Sequence, residues 1–359
     1  MFSYFLYNSI LLICCTFSYI AEKGNTEKLR FGARCVVFLA LVLPAALRYE
    51  TGTDYGNYVN LFTRMNNTTD IEVGWKYLNL LVKNCGLSVQ WIFVIAAILI
   101  YYPICFVVER KHFCITIMLY ILFGFYFKSY NILRQLIAVS FVLWAIVSIE
   151  RKNYIQSIIL LTIGYLFHIS VLFVLPCLLV SKIRLQGRFL PFIVLSSGIL
   201  LILKLNVLEI TFNFLAFVGH DFARYVGSWY TDKMEIGTGL GIFLRLALVI
   251  LVCFLYRKII HSYPQKKIVL NLTIIYIWTY FLATQFIILG RLRDLFTFVP
   301  LLVCGYAVEM SGKYKRIVRV GYFILLLVLF EYDIIQQTRD TFSTSIYPYY
   351  SIFYQGVIQ

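Results

Sequence analysis

The 29 residues NYIQSIILLTIGYLFHISVLFVLPCLLVS, Asn153 to Ser181, lie between Lys152 and Lys182 and decide how the chain threads a membrane. One crossing takes about 20 apolar residues and two full crossings about 40. Twenty-nine fits neither, and every later segment changes side with the choice. A single crossing would put Arg257, Lys258, Lys266, Lys267, Lys313, Lys315, Arg316 and Arg319 outside, against the tendency of Lys and Arg to collect in cytoplasmic loops. The charge pattern therefore selects a short hairpin of two half-length helices. Each leg of about 13 residues rises about 20 Å. The tip, Phe167-His168-Ile169-Ser170, then stops short of the outer surface. Irregular backbone at that depth is tolerated only against protein or a wet cavity, so the hairpin points to a buried site.

Working outward, the chain of 359 residues is 61% hydrophobic and 14% charged, too greasy for a soluble protein of this size. Apolar runs predict an all-α, polytopic membrane protein with about twelve spans: 2–20, 31–47, 89–107, 113–129, 132–149, 155–167, 169–181, 189–204, 239–256, 268–289, 295–310 and 319–335. The first twenty residues lack a basic region and a small-residue cleavage site and read as a retained helix. Loops 21–30, 108–112, 150–154, 182–188, 257–267 and 311–319, with Arg34, hold 19 of the 32 basic residues. They and their borders hold five of the 17 acids. Placed in the cytoplasm, they leave the N-terminus, loop 48–88, loop 205–238 and the C-terminal tail 336–359 outside. This topology accounts for the net charge of +15 and removes the case for nucleic acid. Residues 72–87 suit an amphipathic helix on the outer interface. The whole chain reads as one domain. The nine cysteines show no CxxC spacing and read as small buried hydrophobes.

Polar groups that break the apolar pattern gather at the outer ends of spans: Arg48 and Asp54; Asn131, Arg134 and Gln135; His168; Arg224, Tyr225 and Tyr230; Arg291, Arg293 and Asp294; Tyr347 and Tyr349. Each has a plain reading. An arginine at a span end snorkels to headgroups, a lone histidine packs in a core, and Asp54 after Gly52-Thr53 caps a turn. Together they match one ligand chemistry. Guanidiniums meet diphosphate oxygens bidentately, tyrosines offer a sugar a ring face and a hydroxyl, and an imidazole or carboxylate can take a proton from a sugar hydroxyl. Diphosphate, sugar and an apolar tail at a membrane surface describe a polyprenyl-diphosphate-linked glycan.

Several short motifs resemble, in order, those of the EpsG/Wzy-type polysaccharide polymerases. They are Arg48-Tyr49, Gly52-Thr53-Asp54-Tyr55 and Tyr58; Glu72-Val73-Gly74-Trp75; Asn131-x-x-Arg134-Gln135-x-Ile137-Ala138; and Phe167-His168-x-Ser170. Gly237-x-Gly239-Leu240-Gly241, Arg291 before a span beginning at Phe296, and Tyr347-Pro348-Tyr349 follow. The family's aromatic pair after the arginine is here Leu295-Phe296. The resemblance covers roughly residues 25 to 355. It implies a GT-C-like membrane glycosyltransferase of the bacterial inner membrane that joins undecaprenyl-diphosphate-linked oligosaccharides on the periplasmic side, by inverting transfer without a metal or cofactor. His168, Asp54 and Arg291 are the implied catalytic candidates. The implied substrate contacts are Arg48, Tyr49, Gly52, Thr53, Tyr55, Tyr58, Glu72, Arg134, Gln135, Arg224, Tyr225, Arg293, Tyr347 and Tyr349. The lipid-linked oligosaccharide, membrane lipids and a chain-length regulator protein are the expected partners. On pKa, His168 is the better base and Asp54 the group that orients the acceptor. Two rivals remain: a flippase, which should show paired broken helices in two halves, and a ligase that moves finished glycan elsewhere.

Overall fold

The computed structural model describes residues 2–181, 196, 240–283, 289–339 and 346–354. The expected span 189–204 (except Ser196), loop 205–238 with Arg224, Tyr225 and Tyr230, and the glycines of the Gly237–Gly239 motif lie outside the described residues. The chain forms two compact units, residues 1–172 with 319–359, and residues 173–318.

In the first unit, α1 (Phe2–Lys23) and α2 (Glu27–Ala46) pack as an antiparallel pair. Thr26 caps α2, its side chain accepting from Leu29 N–H at 3.2 Å. A two-residue strand, β1 (Arg48–Tyr49), leads to α3 (Tyr55–Arg64) and α4 (Val73–Asn84). Next come α5 (Gln90–Tyr102), prolonged by a π-helical turn over Pro103–Val107, then α6 (Phe113–Leu122) and α7 (Phe125–Lys128). The single span expected over 113–129 is interrupted: Gly124 takes φ +77° between α6 and α7, which a residue with a side chain adopts only with strain. The packed pair α8 (Leu133–Glu150) and α9 (Tyr154–Phe167) completes the unit, with the end of the chain.

The four helices Phe2–Lys23, Glu27–Ala46, Gln90–Val107 and Leu133–Glu150 are each long and apolar enough to cross a membrane. Shorter apolar helices include Tyr154–Phe167 and Phe298–Met310. Their outer faces are greasy. Ile155, Ile158 and Ile159 of α9 are exposed, as are Val73, Tyr77 and Leu81 on one stripe of α4. That stripe fits a helix lying along an interface, as the sequence of 72–87 suggests.

Polar contacts sort the loops of the first unit onto two ends. At one end Arg110 Nε donates to Glu22 O at 2.8 Å, Arg34 Nη1 to Cys105 O at 2.9 Å, and Arg151 Nη2 to Val107 O at 2.9 Å. The basic loops 21–30, 108–112 and 150–154 thus lie together, as the charge pattern expects. At the other end the tail returns to the start of the chain. Tyr349 N–H donates to Ser3 Oγ at 2.8 Å, Tyr349 Oη donates to Pro44 O at 2.9 Å, and Tyr7 Oη donates to Ile346 O. β2 (Tyr350–Ser351) pairs antiparallel with β1, Arg48 opposite Ser351 and Tyr49 opposite Tyr350. This pair is the one departure from an all-α fold among the described residues.

The second unit contains α10 (Val174–Ser181), α11 (Leu240–Phe254), α12 (Tyr256–Ser262), α13 (Lys267–Leu282), α14 (Leu289–Leu295) and α15 (Phe298–Met310). α16 (Lys315–Arg339) begins in it and carries the chain back into the first unit. Buried polar groups here are tied down. Tyr256 Oη donates to Asn271 Oδ1 at 2.7 Å, and the Lys266 ammonium lies 5.3 Å from the centre of the Tyr306 ring. The expected span 295–310 starts later than its apolar run, because the helix breaks between Leu295 and Phe298.

Candidate functional site

The loop 48–58 is locked onto the start of α8. Gly52 sits at φ +104°, and a Cβ there would overlap Tyr130 O and lie 3.0 Å from Asn131 Oδ1. Only glycine lets the backbone approach so closely. The next residue uses that approach: Thr53 N–H and Oγ1 both donate to Asn131 Oδ1, at 2.7 and 3.1 Å. Tyr58 Oη accepts from Leu133 N–H at 2.9 Å, satisfying one of the donors left over at the α8 N-terminus. Its ring tilts on Trp75 at 5.3 Å, and Tyr55 stacks on Phe93 at 4.8 Å. Burial pushes the Tyr58 hydroxyl up and the Tyr55 hydroxyl to about 12, so both stay protonated near neutral pH.

Arg48 is fully buried. Its guanidinium lies 4.8 Å from the centre of the Phe93 ring and 5.0 Å from that of Tyr130, and Nη1 donates to Ser129 O at 3.3 Å. Among the described residues, Nε and Nη2 have no hydrogen-bond partner. Burial pushes its proton affinity below the usual arginine range, opposed by the hydroxyls of Tyr130 and Tyr101. In this arrangement the guanidinium braces the loop from inside, and a ligand would reach it only if the loop opened. Asp54 stands at the N-terminus of α3 without a side-chain capping bond, so the plain capping reading does not describe it.

The helical run is interrupted where the sequence places the tip of the expected hairpin. α9 ends at Phe167, His168 is extended at φ −160°, and a 3-10 turn covers Ile169–Phe173. α9 belongs to the first unit and α10 to the second. α9 lies on α8, since a Cβ on Gly164 would be 3.3 Å from Ala138 O, and Phe167 stacks on Phe141. At 1.5 Å per residue, α9 rises about 21 Å against about 27 Å for α8, so His168 sits roughly one turn below the start of α8. The start of α4 covers that tip: a Cβ on Gly74 would be 2.9 Å from Leu166 O. Glu72, just before α4, pairs with Arg134 of α8. His168 Nδ1 is 2.8 Å from Ser170 Oγ and accepts from Ser170 N–H at 3.1 Å. Gln135 is buried beside this junction.

The structure thus gathers Arg48, Tyr49, Gly52, Thr53, Asp54, Tyr55, Tyr58, Glu72, Arg134, Gln135, His168, Tyr347 and Tyr349 at one end of the first unit. Arg291 and Arg293 belong to α14 of the second. Arg293 gives Nε and Nη2 to Asp294 Oδ1, both at 3.0 Å, while Arg291 is exposed. The guanidinium of Arg293 is thereby engaged within its own helix.

Between β1, α3 and the start of α5 opens a groove of about 600 Å³. Tyr49 and Tyr55 supply rings, Glu50 a carboxylate, Asn60 and Gln90 amides, Ser88 a hydroxyl, and Ile352 of the tail an apolar edge. No cation lines it among the described residues. Glu50 holds φ +46°, a strained conformation for a residue with a side chain. Glu50, Asn60, Ser88 and Gln90 were missed by sequence reasoning. Their polarity is ordinary for loops and helix ends, and only the packing of α3 and the start of α5 beside β1, where Gln90 Nε2 donates to Arg48 O at 3.3 Å, brings them round one space.

No curated protein and no solved structure matches the chain. The model of the EpsG family matches residues 33–351, a range that runs from α2 through the motif loop and the His168 tip to the second strand, and the chain belongs to that family, the family of Wzy-type polysaccharide polymerases.

Proposed function

We propose that the chain is a GT-C-like glycosyltransferase of the bacterial inner membrane, with about twelve crossings, that polymerises undecaprenyl-diphosphate-linked oligosaccharide repeat units on the periplasmic side. The groove beside the motif loop carries this reading. Its lining of two tyrosine rings, two amides, a hydroxyl and a carboxylate suits a hydroxyl-rich ligand and not a diphosphate. In the reaction, the bond from the anomeric carbon to the diphosphate oxygen breaks, and the diphosphate keeps the electron pair. An acceptor hydroxyl oxygen bonds to that carbon from the opposite face and gives up its proton. Asp54 and His168 are the groups that compete for this proton. Arg291, exposed on α14 of the second unit, stays the diphosphate candidate from the sequence, and Arg134 and Gln135 of the first unit stay substrate-contact candidates. Arg224, Tyr225 and Arg293 stay substrate-contact candidates from the sequence. Membrane lipids and a chain-length regulator complete the set of partners.

The test is purified protein in lipid nanodiscs with lipid-diphosphate-linked repeat units, its products separated on a gel. A ladder supports polymerisation. Substrate consumed only when a different acceptor is added would indicate a ligase, and vesicle-to-vesicle-face translocation without any new glycosidic bond would indicate a flippase.

A further inference from the structure

The tip of α9 carries a device that the functional reading does not use. Ser170 N–H points at Nδ1 of His168 at 3.1 Å, and Ser170 Oγ lies 2.8 Å from the same nitrogen. A backbone N–H can only donate, so Nδ1 presents a lone pair and carries no proton. In the neutral ring the proton then sits on Nε2. The Ser170 hydroxyl, facing an accepting nitrogen, also donates. The backbone holds both residues in place: His168 N–H donates to Gly164 O at 3.0 Å, Val171 N–H closes onto His168 O at 3.3 Å, and Ser170 is buried. Protonating Nδ1 would break the contact with the backbone N–H and force the hydroxyl to turn and accept. This is the reverse of the arrangement a histidine base needs, in which Nδ1–H donates to a partner and Nε2 is left to accept.

We propose that Ser170 is a positioning residue that fixes His168 as the neutral Nε2–H tautomer, so that His168 gives a hydrogen bond to a substrate oxygen and does not take the acceptor's proton. The tautomer stands on geometry alone; its use in catalysis rests on the polymerase reading. A neutral donor is suited to an oxygen on which charge grows, such as one of a departing diphosphate. The acceptor's proton then passes to a carboxylate. Asp54, half-buried on the motif loop and free of a capping duty, is the carboxylate assigned to it.

The test uses full-length protein labelled with nitrogen-15 at its four histidines, in nanodiscs. Long-range proton–nitrogen correlations separate the two tautomers, and His168→Gln identifies the His168 signals. The expected result is an Nε2–H ring in the wild type and in Ser170→Ala, which keeps the amide, and a mixture in Ser170→Pro, which loses it. An Nδ1–H ring in the wild type overturns the proposal. Kinetics give the second arm. Between about pH 6 and 8, where an ordinary histidine titrates, the wild-type rate stays level and Ser170→Ala gains a fall on the acid side. His168→Gln, which can still donate, keeps its rate within about tenfold. A loss of about 10²–10⁴, the size of general-base help, in a variant that stays folded and binds lipid-linked substrate, overturns the donor role. If the ring is Nε2–H but wild-type protein builds no polymer, the tautomer stands and the polymerase reading fails.

Discussion

Replacing Gly52 by alanine tests how the motif loop is held. At φ +104° a side chain costs about 1–3 kcal/mol in backbone strain. The added Cβ also overlaps Tyr130 O, a backbone atom fixed at the start of α8, so the loop itself must move. Moving it breaks the two hydrogen bonds from Thr53 to Asn131 Oδ1, each worth about 0.5–1.5 kcal/mol. The expected loss is about 2–6 kcal/mol. For a unit of this size that corresponds to a fall of about 4–24 °C in melting temperature, at about 2–4 °C per kcal/mol. Gly56→Ala is the matched control. It lies in α3, four positions on, with nothing within 4 Å of the new Cβ, and should melt at or slightly above the wild-type temperature. Thermal unfolding in detergent, followed by light scattering and by a thiol-reactive dye, reads both. If Gly52→Ala and Gly56→Ala melt together, the loop is not locked on Tyr130 and the argument fails.

Three further outcomes follow from the same structure. Arg291→Lys should shorten or abolish polymer although charge is kept, because one ammonium cannot copy a bidentate fork; wild-type chain length on a gel would return Arg291 to a headgroup anchor. Tyr58→Phe removes the shorter of the two bonds from Leu133 N–H, leaving the one to Asn131 O at 3.1 Å, and should cost about 0.5–1.5 kcal/mol, read by melting; an unchanged melt would show that the bond contributes nothing. Cysteines at positions 152 and 182, in a cysteine-free background, should both be labelled only from the cytoplasmic side; outside labelling at 182 would replace the hairpin by a single crossing.

The apolar runs and the charge bias were readable because membrane insertion acts on local composition, and the first unit's loops group at two ends as that bias expects. The break at His168 was readable from length: a run too long for one crossing and too short for two points to an interruption. Arg48 was not. At the end of a span it reads as a headgroup or ligand contact, and its enclosure between Phe93 and Tyr130 depends on rings supplied from far along the chain. Asn131 was noticed as an unusual polar residue, but nothing local marks it as the acceptor for Thr53. The break at Gly124 shows the opposite limit. One glycine in an apolar run is a weak signal, and the left-handed turn it makes is set by the packing around it.

The pairing of β1 with β2 sets Arg48 opposite Ser351 and Tyr49 opposite Tyr350, and a bond from Tyr350 N–H to Thr51 Oγ1 joins residues 299 positions apart. A growing chain therefore makes every described α-helix, α1 to α16, before the groove has its last wall. Ile352 arrives only after α16, and the Tyr349 and Ile346 contacts to Ser3 and Tyr7 cannot form earlier. A chain cut before Ile346 would keep those helices and lack both the wall at Ile352 and the ties that hold the tail to α1. Competence of the groove thus comes later in synthesis than the helices that frame it.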